Sequence, residues 1–167
     1  RSGSQKETHY EMLKKLELSF DQQIELFKFA KKSSIDFLST PYDIESAKFL
    51  NSLNVKAFKV ASADIVDLPL HEYLVTTKKP VILSVGMASL DEIDFILRVY
   101  KKKHKNKIAI LHAVSNYPAS DNSLNMKVID TLKNKFKVPF FVSNCDIIIK
   151  ADYSKIYEFH KKNNYDI

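Results

Sequence analysis

The sequence predicts an α/β fold in which helices connect the strands of a parallel β-sheet. Short apolar segments typical of strands alternate with longer segments whose apolar residues recur every three or four positions, as on one face of a helix. The strand segments are apolar at nearly every residue, which is typical of parallel strands covered on both faces. The 167 residues are enough for one ordinary domain.

The helices have recognisable starts. Two of them begin with a capping box, in which a serine and a polar residue three positions later cap each other's backbone amides: Ser19 with Gln22, and Ser89 with Glu92. Another helix is predicted to begin near Asp43 and to end at Asn54. A short helix over residues 69–76 and a last one over 124–133 complete the set.

Four strands are predicted between these helices, at residues 35–39, 57–61, 80–84 and 107–114. Two architectures fit the order, an open doubly wound sheet and part of a (β/α)8 barrel. Open nucleotide-binding sheets usually carry a glycine-rich first turn. This chain has only Gly3 and Gly86 and lacks both G-x-G-x-x-G and G-K-[ST]. A nucleotide-binding fold is therefore disfavoured, whereas a flavodoxin-like sheet remains an alternative to the barrel.

Composition excludes several classes of protein. No segment approaches the roughly 20 apolar residues of a membrane span, and residues 1–10 lack the apolar core of a signal peptide. The one cysteine, Cys145, excludes an internal disulfide and fits a reducing compartment. We therefore expect a cytoplasmic protein with no membrane partner.

The formal net charge of +6 raises the question of a nucleic-acid partner. The densest lysine run, at 101–107, follows the apolar stripe of a helix and lies at its C-terminus, where cations suit the helix dipole. The other basic residues are spread over helix faces, and no recognition-module signature is present. We expect a solvated lysine-rich surface and no nucleic-acid partner.

Lys59 lies in the middle of the apolar strand "AFKVA". Side chains alternate along a strand, so Phe58 and Val60 share one face and Lys59 lies on the other. A buried ammonium is costly unless an anion meets it. Lys59 therefore either reaches water from an edge strand or binds an anion.

Hydroxyl residues end every predicted strand: Ser39 and Thr40, Ser62, Ser84, and Ser115. Ligands of parallel α/β folds bind at these strand ends. Hydroxyl donors around the charge of Lys59 suit a phosphate group, and Gly86 allows the backbone to approach a ligand. The alternative interpretation is that the serines are ordinary turn or cap residues and that Asp43 is only a helix N-cap.

The histidines do not predict a metal site. His112 lies inside an apolar strand and is expected to be a hydrogen-bonded core residue, whereas His9, His71 and His104 lie in settings that suggest no role. No cluster of His, Cys and Asp within 1–137 has the spacing of metal ligands.

Five segments in order resemble the sialic acid synthase family, whose members make N-acetylneuraminate and related nonulosonates such as legionaminic and pseudaminic acids. They lie within about residues 9–137 and read "YEMLKKLELS", "FLSTPYD", "FKVASADI", "PVILSVGM" and "LHAVSNYPAS". The resemblance implies a (β/α)8 barrel and a transferase that condenses phosphoenolpyruvate with an N-acetylated amino sugar and releases phosphate. A divalent metal, Mn²⁺ or Mg²⁺, polarises the sugar aldehyde in such an enzyme, and the complete enzyme is expected to be a homodimer.

The resemblance also assigns roles to individual residues. The family pattern implies that the phosphoenolpyruvate site is lined by Thr40, Lys59, Ser62, Ser84, Ser115 and Tyr117. Catalytic roles fall to Lys59, to Asp43 as the carboxylate on the sugar side, and to Asp64, where the family usually has a glutamate. These residues agree with the interpretation reached from the strand ends.

Parts of the family pattern have no counterpart in this chain. Its first two strands, with a catalytic glutamate and a second phosphate-binding lysine, its last two strands, with the metal-binding histidines, and its C-terminal antifreeze-like domain are not found. Ala113 also replaces a common cysteine. Four βα units cannot close a barrel that typically takes about 250 residues. We therefore expect a partial barrel that lacks its metal ligands and is inactive by itself.

The segment after residue 137 resembles a different family, the sugar-1-phosphate nucleotidyltransferases. It reads "PFFVSNCDIIIKADYSKIYEFHKKNNYDI", and the resemblance implies that Asp146 binds Mg²⁺ at the end of a strand. Two domains are thus predicted, a partial synthase barrel over 1–137 and a short nucleotidyltransferase-like α/β piece of different origin over 138–167. The alternatives are a diverged barrel strand and helix for this segment, and, for the chain, a nucleotidyltransferase or a non-catalytic phosphate-binding α/β fragment.

Overall fold

The computed structural model describes residues 8–103, 107–116 and 119–136, and these are called the described residues below. They form helices and strands that alternate along the chain, with two short 3-10 turns at Ser62–Val66 and Asp121–Ser123. In chain order the helices and strands are α1 (His9–Leu16), α2 (Phe20–Lys32), α3 (Ile44–Ser52), β1 (Phe58–Val60), α4 (Leu68–Thr77), β2 (Val81–Ser84), α5 (Leu90–Lys103), β3 (Ile108–Leu111) and α6 (Lys127–Phe136).

The strands of the described residues form one parallel sheet in the order β1-β2-β3. Phe58 is registered with Val81, which is in turn registered with Ile108. Helix α4 connects the first two strands and α5 connects the second pair, as parallel strands require. The α/β class and the strands predicted within 57–61, 80–84 and 107–114 are confirmed, each with shorter bounds.

The strand predicted at 35–39 is wrong. Residues 35–40 form no strand in the structure, and the Ile35 amide instead donates to the Ala30 carbonyl oxygen at 2.9 Å, closing the end of α2. Phe37 packs against the edge of the core and meets the Phe27 ring edge-on at 5.8 Å. A short apolar run predicts burial of some of its side chains, but it does not decide whether the backbone pairs with a neighbouring strand.

The hydrophobic core lies between one face of the sheet and helices α3 to α6. Its largest fully buried side chains include Phe58, Leu83 and Ile110 from the strands, and Leu74 and Ile96 from the helices. On the opposite face, Lys59 is registered with Ile82 and Ile82 with Ala109, and all three are half-buried. The alternation predicted for the strand around Lys59 is therefore confirmed.

The helix starts follow the capping residues of the sequence. The Ser19 amide donates to Gln22 at 2.8 Å and the Ser89 amide donates to Glu92 at 2.7 Å, so that both predicted capping boxes are confirmed. Asn54, at φ 57°, follows the end of α3 as expected. The last helix begins at Lys127, three residues later than predicted, because the Asp121–Ser123 turn precedes it.

Helices α1 and α2 lie outside the core. No side chain of α2 is buried, and apolar side chains such as Tyr10, Leu16 and Phe29 are about 70% exposed. A helix long and apolar enough to cross a membrane is not found among the described residues. The predicted domain at 138–167, with Asp146, lies outside the described residues.

Candidate active site

The carboxyl ends of the three strands lie along one edge of the sheet. Val60 is registered with Leu83, and Ser84 is registered with Leu111, so β1, β2 and β3 end side by side. A backbone hydrogen bond of 3.0 Å from the Val85 amide to the Leu111 carbonyl oxygen continues the pairing past the end of β2. The residues that follow the strands are consequently brought together.

Ser62 and Ser115 meet across this edge. Their Oγ atoms are 3.3 Å apart although the residues are separated by 53 positions in the chain. Ser62 begins the turn that follows β1, and Ser115 follows β3. Two of the predicted phosphate-binding hydroxyls therefore occupy one place in the structure.

Lys59 and Ser84 lie on the same face of the sheet. Lys59 is registered with Ile82, and Ser84 is two residues further along β2, so both side chains leave the sheet on the face opposite the helical core. The described carboxylates form no ion pair with Lys59. Lys59 thus places a cation on the sheet face opposite the helical core, without a counterion from the described part of the chain.

Two buried polar atoms of the described residues have no hydrogen-bond partner, Ser84 Oγ and Asp64 Oδ2. Ser84 is 3% exposed. A buried polar atom without a partner costs on the order of 1–3 kcal/mol, and native proteins contain few of them. Both atoms belong to residues that the sequence assigned to the predicted site.

Asp64 lies in the Ser62–Val66 turn. Burial raises the pKa of its carboxyl group above the usual value, and the negative charge of Asp67 raises it further. The surroundings of Asp64 therefore disfavour the charged form of this carboxyl group.

Gly86 is in close contact with the segment after β3. A Cβ atom on Gly86 would overlap the carbonyl oxygen of Ala113 and lie 2.7 Å from its carbonyl carbon. The loop after β2 therefore lies so close to the segment after β3 that no side chain fits between them at this position. Gly86 thus allows two loops of the chain to approach each other, and its predicted role in the approach to a ligand stays a prediction.

Asp43 caps helix α3. Its Oδ1 accepts from the Ser46 amide at 2.6 Å and its Oδ2 accepts from the Ser46 hydroxyl at 3.1 Å. Thr40 is half-buried just before it. The described hydrogen bonds do not join Thr40 or Asp43 to Lys59, Ser84 or the paired serines, so their roles in the site stay predictions.

The histidines differ from one another more than the sequence suggested. His112 Nε2 is 2.9 Å from the Leu124 carbonyl oxygen, which confirms a hydrogen-bonded histidine. His71 is fully buried and hydrogen-bonded through both ring nitrogens. Leu74 and Val75 follow His71 by three and four positions on α4, and this apolar spacing could have indicated that His71 is buried. Tyr117 lies outside the described residues.

The described residues contain no group of three or more His, Cys, Asp and Glu side chains that could hold a metal ion. The described strands and the turns that follow them carry the Lys59 ammonium group, the hydroxyls of Ser62, Ser84 and Ser115, and the Asp64 carboxyl group with its raised pKa. A parallel α/β sheet with this set at the carboxyl ends of its strands is typical of barrel enzymes that bind an anionic substrate.

Comparison with known proteins identifies the family. Residues 1–153 match the model of the NeuB family, and the chain belongs to that family. The matched range extends past residue 137, where the sequence predicted a domain boundary. The resemblance of the last residues to nucleotidyltransferases finds no support in these comparisons.

Two curated relatives are 42% identical to this chain. One is an uncharacterised protein of Methanocaldococcus jannaschii, matched over 148 residues, which are 89% of this chain and 44% of the relative. The other is N,N'-diacetyllegionaminic acid synthase of Campylobacter jejuni, matched over 134 residues, 79% of this chain and 40% of the relative. The chain thus spans less than half the length of these relatives.

A solved structure shows the same fold. The N-acetylneuraminic acid (sialic acid) synthetase of Leptospira borgpetersenii, in complex with citrate, superposes with a TM-score of 0.71 at 34% identity, over 77% of this chain and 45% of that chain. The predicted fold class, an α/β fold that is part of a (β/α)8 barrel, is confirmed. The open doubly wound sheet is thereby set aside.

Proposed function

We propose that this chain carries the phosphoenolpyruvate-binding strand ends of a nonulosonate synthase. The observation that carries the proposal is the buried Ser84 hydroxyl, which has no hydrogen-bond partner and lies on the same sheet face as Lys59. The name of the Campylobacter jejuni relative, a diacetyllegionaminic acid synthase, supports the choice of reaction. The substrates are then phosphoenolpyruvate and an N-acetylated amino sugar.

The phosphate of the substrate accounts for the residue types at the site. Phosphate oxygens accept hydrogen bonds from hydroxyl groups, and an ammonium group supplies a compensating point charge. Ser62, Ser84 and Ser115 supply the hydroxyls and Lys59 supplies the charge, with Thr40 and Tyr117 as further predicted donors. Hydrogen bonds that strengthen as charge develops also lower the barrier to reaction.

The reaction joins the enol carbon of phosphoenolpyruvate to the aldehyde carbon of the open-chain sugar. Water then adds to the resulting cation and phosphate leaves. The carboxyl group of Asp64 has the raised pKa that suits a group which moves a proton in such a step. We assign it that role and assign Asp43 to the sugar side of the site.

A divalent metal that polarises the sugar aldehyde stays a prediction of the resemblance, as does the homodimer. The described residues offer no set of three metal ligands. The predicted inactivity of this chain by itself is tested by phosphate release from phosphoenolpyruvate in the presence of N-acetylmannosamine or a diacetamido sugar.

Phosphate binding is the property to test on the chain itself. We expect isothermal titration calorimetry to detect binding of phosphoenolpyruvate and of inorganic phosphate. Lys59→Ala should weaken both by roughly 10- to 100-fold, since a hydrogen bond to a charged group contributes about 1.5–3 kcal/mol. An affinity that is the same in Lys59→Ala and in the unaltered chain would show that the site is not a phosphate site.

Lys56→Ala is the matched control. Lys56 lies three residues before Lys59, is largely exposed and pairs with Asp36 at 2.6 Å. The Lys56→Ala substitution removes the same charge from the same segment without changing a residue on the sheet face that carries Lys59. Equal weakening by both variants would indicate unspecific attraction of the anion to a basic surface.

A further inference from the structure

His71 connects two helices and the turn that follows β1. It lies on α4 with its side chain fully buried. Its Nδ1 is 2.9 Å from the hydroxyl oxygen of Tyr100 on α5, and its Nε2 is 3.0 Å from the carbonyl oxygen of Ile65. The two rings meet edge to face, with centroids 5.6 Å apart.

The partners of the imidazole fix its proton. A backbone carbonyl oxygen only accepts, so Nε2 carries the hydrogen that is donated to Ile65. In a neutral ring Nδ1 is then an acceptor, and the hydroxyl of Tyr100 donates to it. Burial lowers the pKa of His71, which keeps the ring neutral. The hydrogen bonds thus run in one direction, from Tyr100 through His71 to Ile65.

The turn that receives this hydrogen bond carries two predicted site residues, Ser62 and Asp64. It is a 3-10 turn of five residues, a form with poorer hydrogen-bond geometry than the α-helix. No side chain caps its start at Ala61. Its own backbone bonds include those from the Asp64 amide to Ala61 and from the Asp67 amide to Asp64, of 3.1 and 3.0 Å.

We propose that His71 is a positioning residue of the anion site, which holds the Ile65 carbonyl and thereby sets the direction in which Ser62 and Asp64 enter the site. Tyr100 extends the connection to α5, the helix that follows the loop containing Gly86. The turn after β1 and the helix after β2 are in this way joined behind the site. The part of the proposal that concerns anion affinity rests on the proposed function.

The decisive variants are His71→Leu and His71→Gln. Leucine keeps an apolar side chain in the core but removes both hydrogen bonds, whereas the glutamine amide can still donate to the Ile65 carbonyl. Val75→Ala is the control, because Val75 is a fully buried residue of the same helix with an apolar side chain that forms no hydrogen bond to the turn. Affinity for inorganic phosphate is measured by calorimetry. Exchange of the Asp64 and Asp67 amides is measured by NMR, relative to that of the Leu83 amide.

We expect His71→Leu to raise the Kd for phosphate about tenfold and to accelerate hydrogen exchange of the two turn amides about tenfold. Both factors correspond to the loss of one buried hydrogen bond. His71→Gln should restore both values to within about threefold of the unaltered chain. Val75→Ala should lower the Tm without changing the Kd. Unchanged affinity and unchanged amide exchange in His71→Leu would overturn the proposal.

Two further measurements keep the proposal testable if His71→Leu does not fold. The imidazole ¹⁵N shifts of the unaltered chain should report a neutral ring protonated at Nε2, and a ring protonated at Nδ1 would overturn the proposal. Tyr100→Phe leaves Nδ1 without its donor, so it should accelerate exchange at the turn amides. Exchange equal to that of the unaltered chain would count against the proposed connection.

Failure of the proposed function gives a different result. If the unaltered chain binds neither phosphate nor phosphoenolpyruvate, the anion site is rejected. His71 is then judged by the turn amides alone. Faster exchange in His71→Leu with recovery in His71→Gln supports positioning of the turn, and equal exchange in all variants rejects it.

Discussion

Replacing Gly86 with alanine should destabilise the protein although the residue is exposed. Gly86 does not adopt a positive φ, so alanine is compatible with its backbone conformation. The obstacle is the segment after β3, because the added Cβ would overlap the carbonyl oxygen of Ala113 and lie 2.7 Å from its carbonyl carbon. A surface position that looks tolerant is therefore predicted to be sensitive.

The size of the effect follows from the distances. Two carbon atoms rest at about 3.5–4.0 Å, so the loop after β2 must move by at least about 1 Å to accept the Cβ. That movement acts directly on the hydrogen bond between the Val85 amide and the Leu111 carbonyl oxygen, next to Ser84. Overpacking of this kind costs about 1–3 kcal/mol. We expect Gly86→Ala to lower the free energy of unfolding by about 2 kcal/mol and to weaken phosphate binding.

Urea denaturation followed by circular dichroism measures the first effect, and calorimetry with phosphate measures the second. Met87→Ala is the control, since its side chain is 63% exposed in the same loop and its replacement should change stability by less than about 0.5 kcal/mol. If Gly86→Ala is as stable as Met87→Ala, the close approach of the two loops is refuted.

Three further predictions concern buried polar groups. Ser84→Ala removes a buried hydroxyl that has no partner, so we expect urea denaturation to show no loss of stability and a gain of up to about 1–3 kcal/mol, while phosphate affinity falls about tenfold. A loss of several kcal/mol would mean that the hydroxyl is hydrogen-bonded in the free protein. Asp64→Asn should stabilise the protein at pH 7 but not at pH 3. Burial raises the pKa of Asp64, so the cost of its negative charge appears only as the pH rises through that pKa. Urea denaturation midpoints of the two chains at both pH values check this. The pH dependence of stability that comes from His71 runs in the opposite direction, because burial lowers the pKa of this histidine. The free energy of unfolding should fall by up to about 1.4 kcal/mol per pH unit as the pH drops below about 6.5, the pKa of an unperturbed histidine. His71→Gln should lose that component of the pH dependence, and identical pH profiles for the two chains would contradict a buried neutral imidazole.

Local signals in the sequence predicted most of the helices and strands. The capping boxes at Ser19 and Ser89 depend on contacts three residues apart, so the sequence contains all of the relevant information. The strands β1, β2 and β3 are apolar enough to be recognised in isolation. Helix α1 shows that the same kind of signal was also overlooked, since Thr8 and Glu11 form a third capping box.

Non-local features were predicted less well. Whether residues 35–39 pair with β1 depends on the distance between two segments, which no residue in the segment encodes. The meeting of Ser62 and Ser115 was predictable in outline, because the ends of parallel strands lie at one edge. The missing partner of Ser84 and the contact between Gly86 and Ala113 depend on how closely two loops approach, and only the structure shows them.

The two polar atoms without partners indicate how stability and function are connected in this fold. Ser84 Oγ and Asp64 Oδ2 are both buried and both belong to the predicted site. An alanine at either position would leave no polar atom without a partner, so folding alone does not explain a serine and an aspartate there. A bound anion that accepts from Ser84 would remove part of the cost. It would also raise the free energy of unfolding by RT ln(1 + [L]/Kd), about 2.7 kcal/mol at a ligand concentration one hundred times the Kd. The free protein is therefore expected to be less stable than its phosphate complex, and the difference should fall in Ser84→Ala, where the ligand has lost one of its donors.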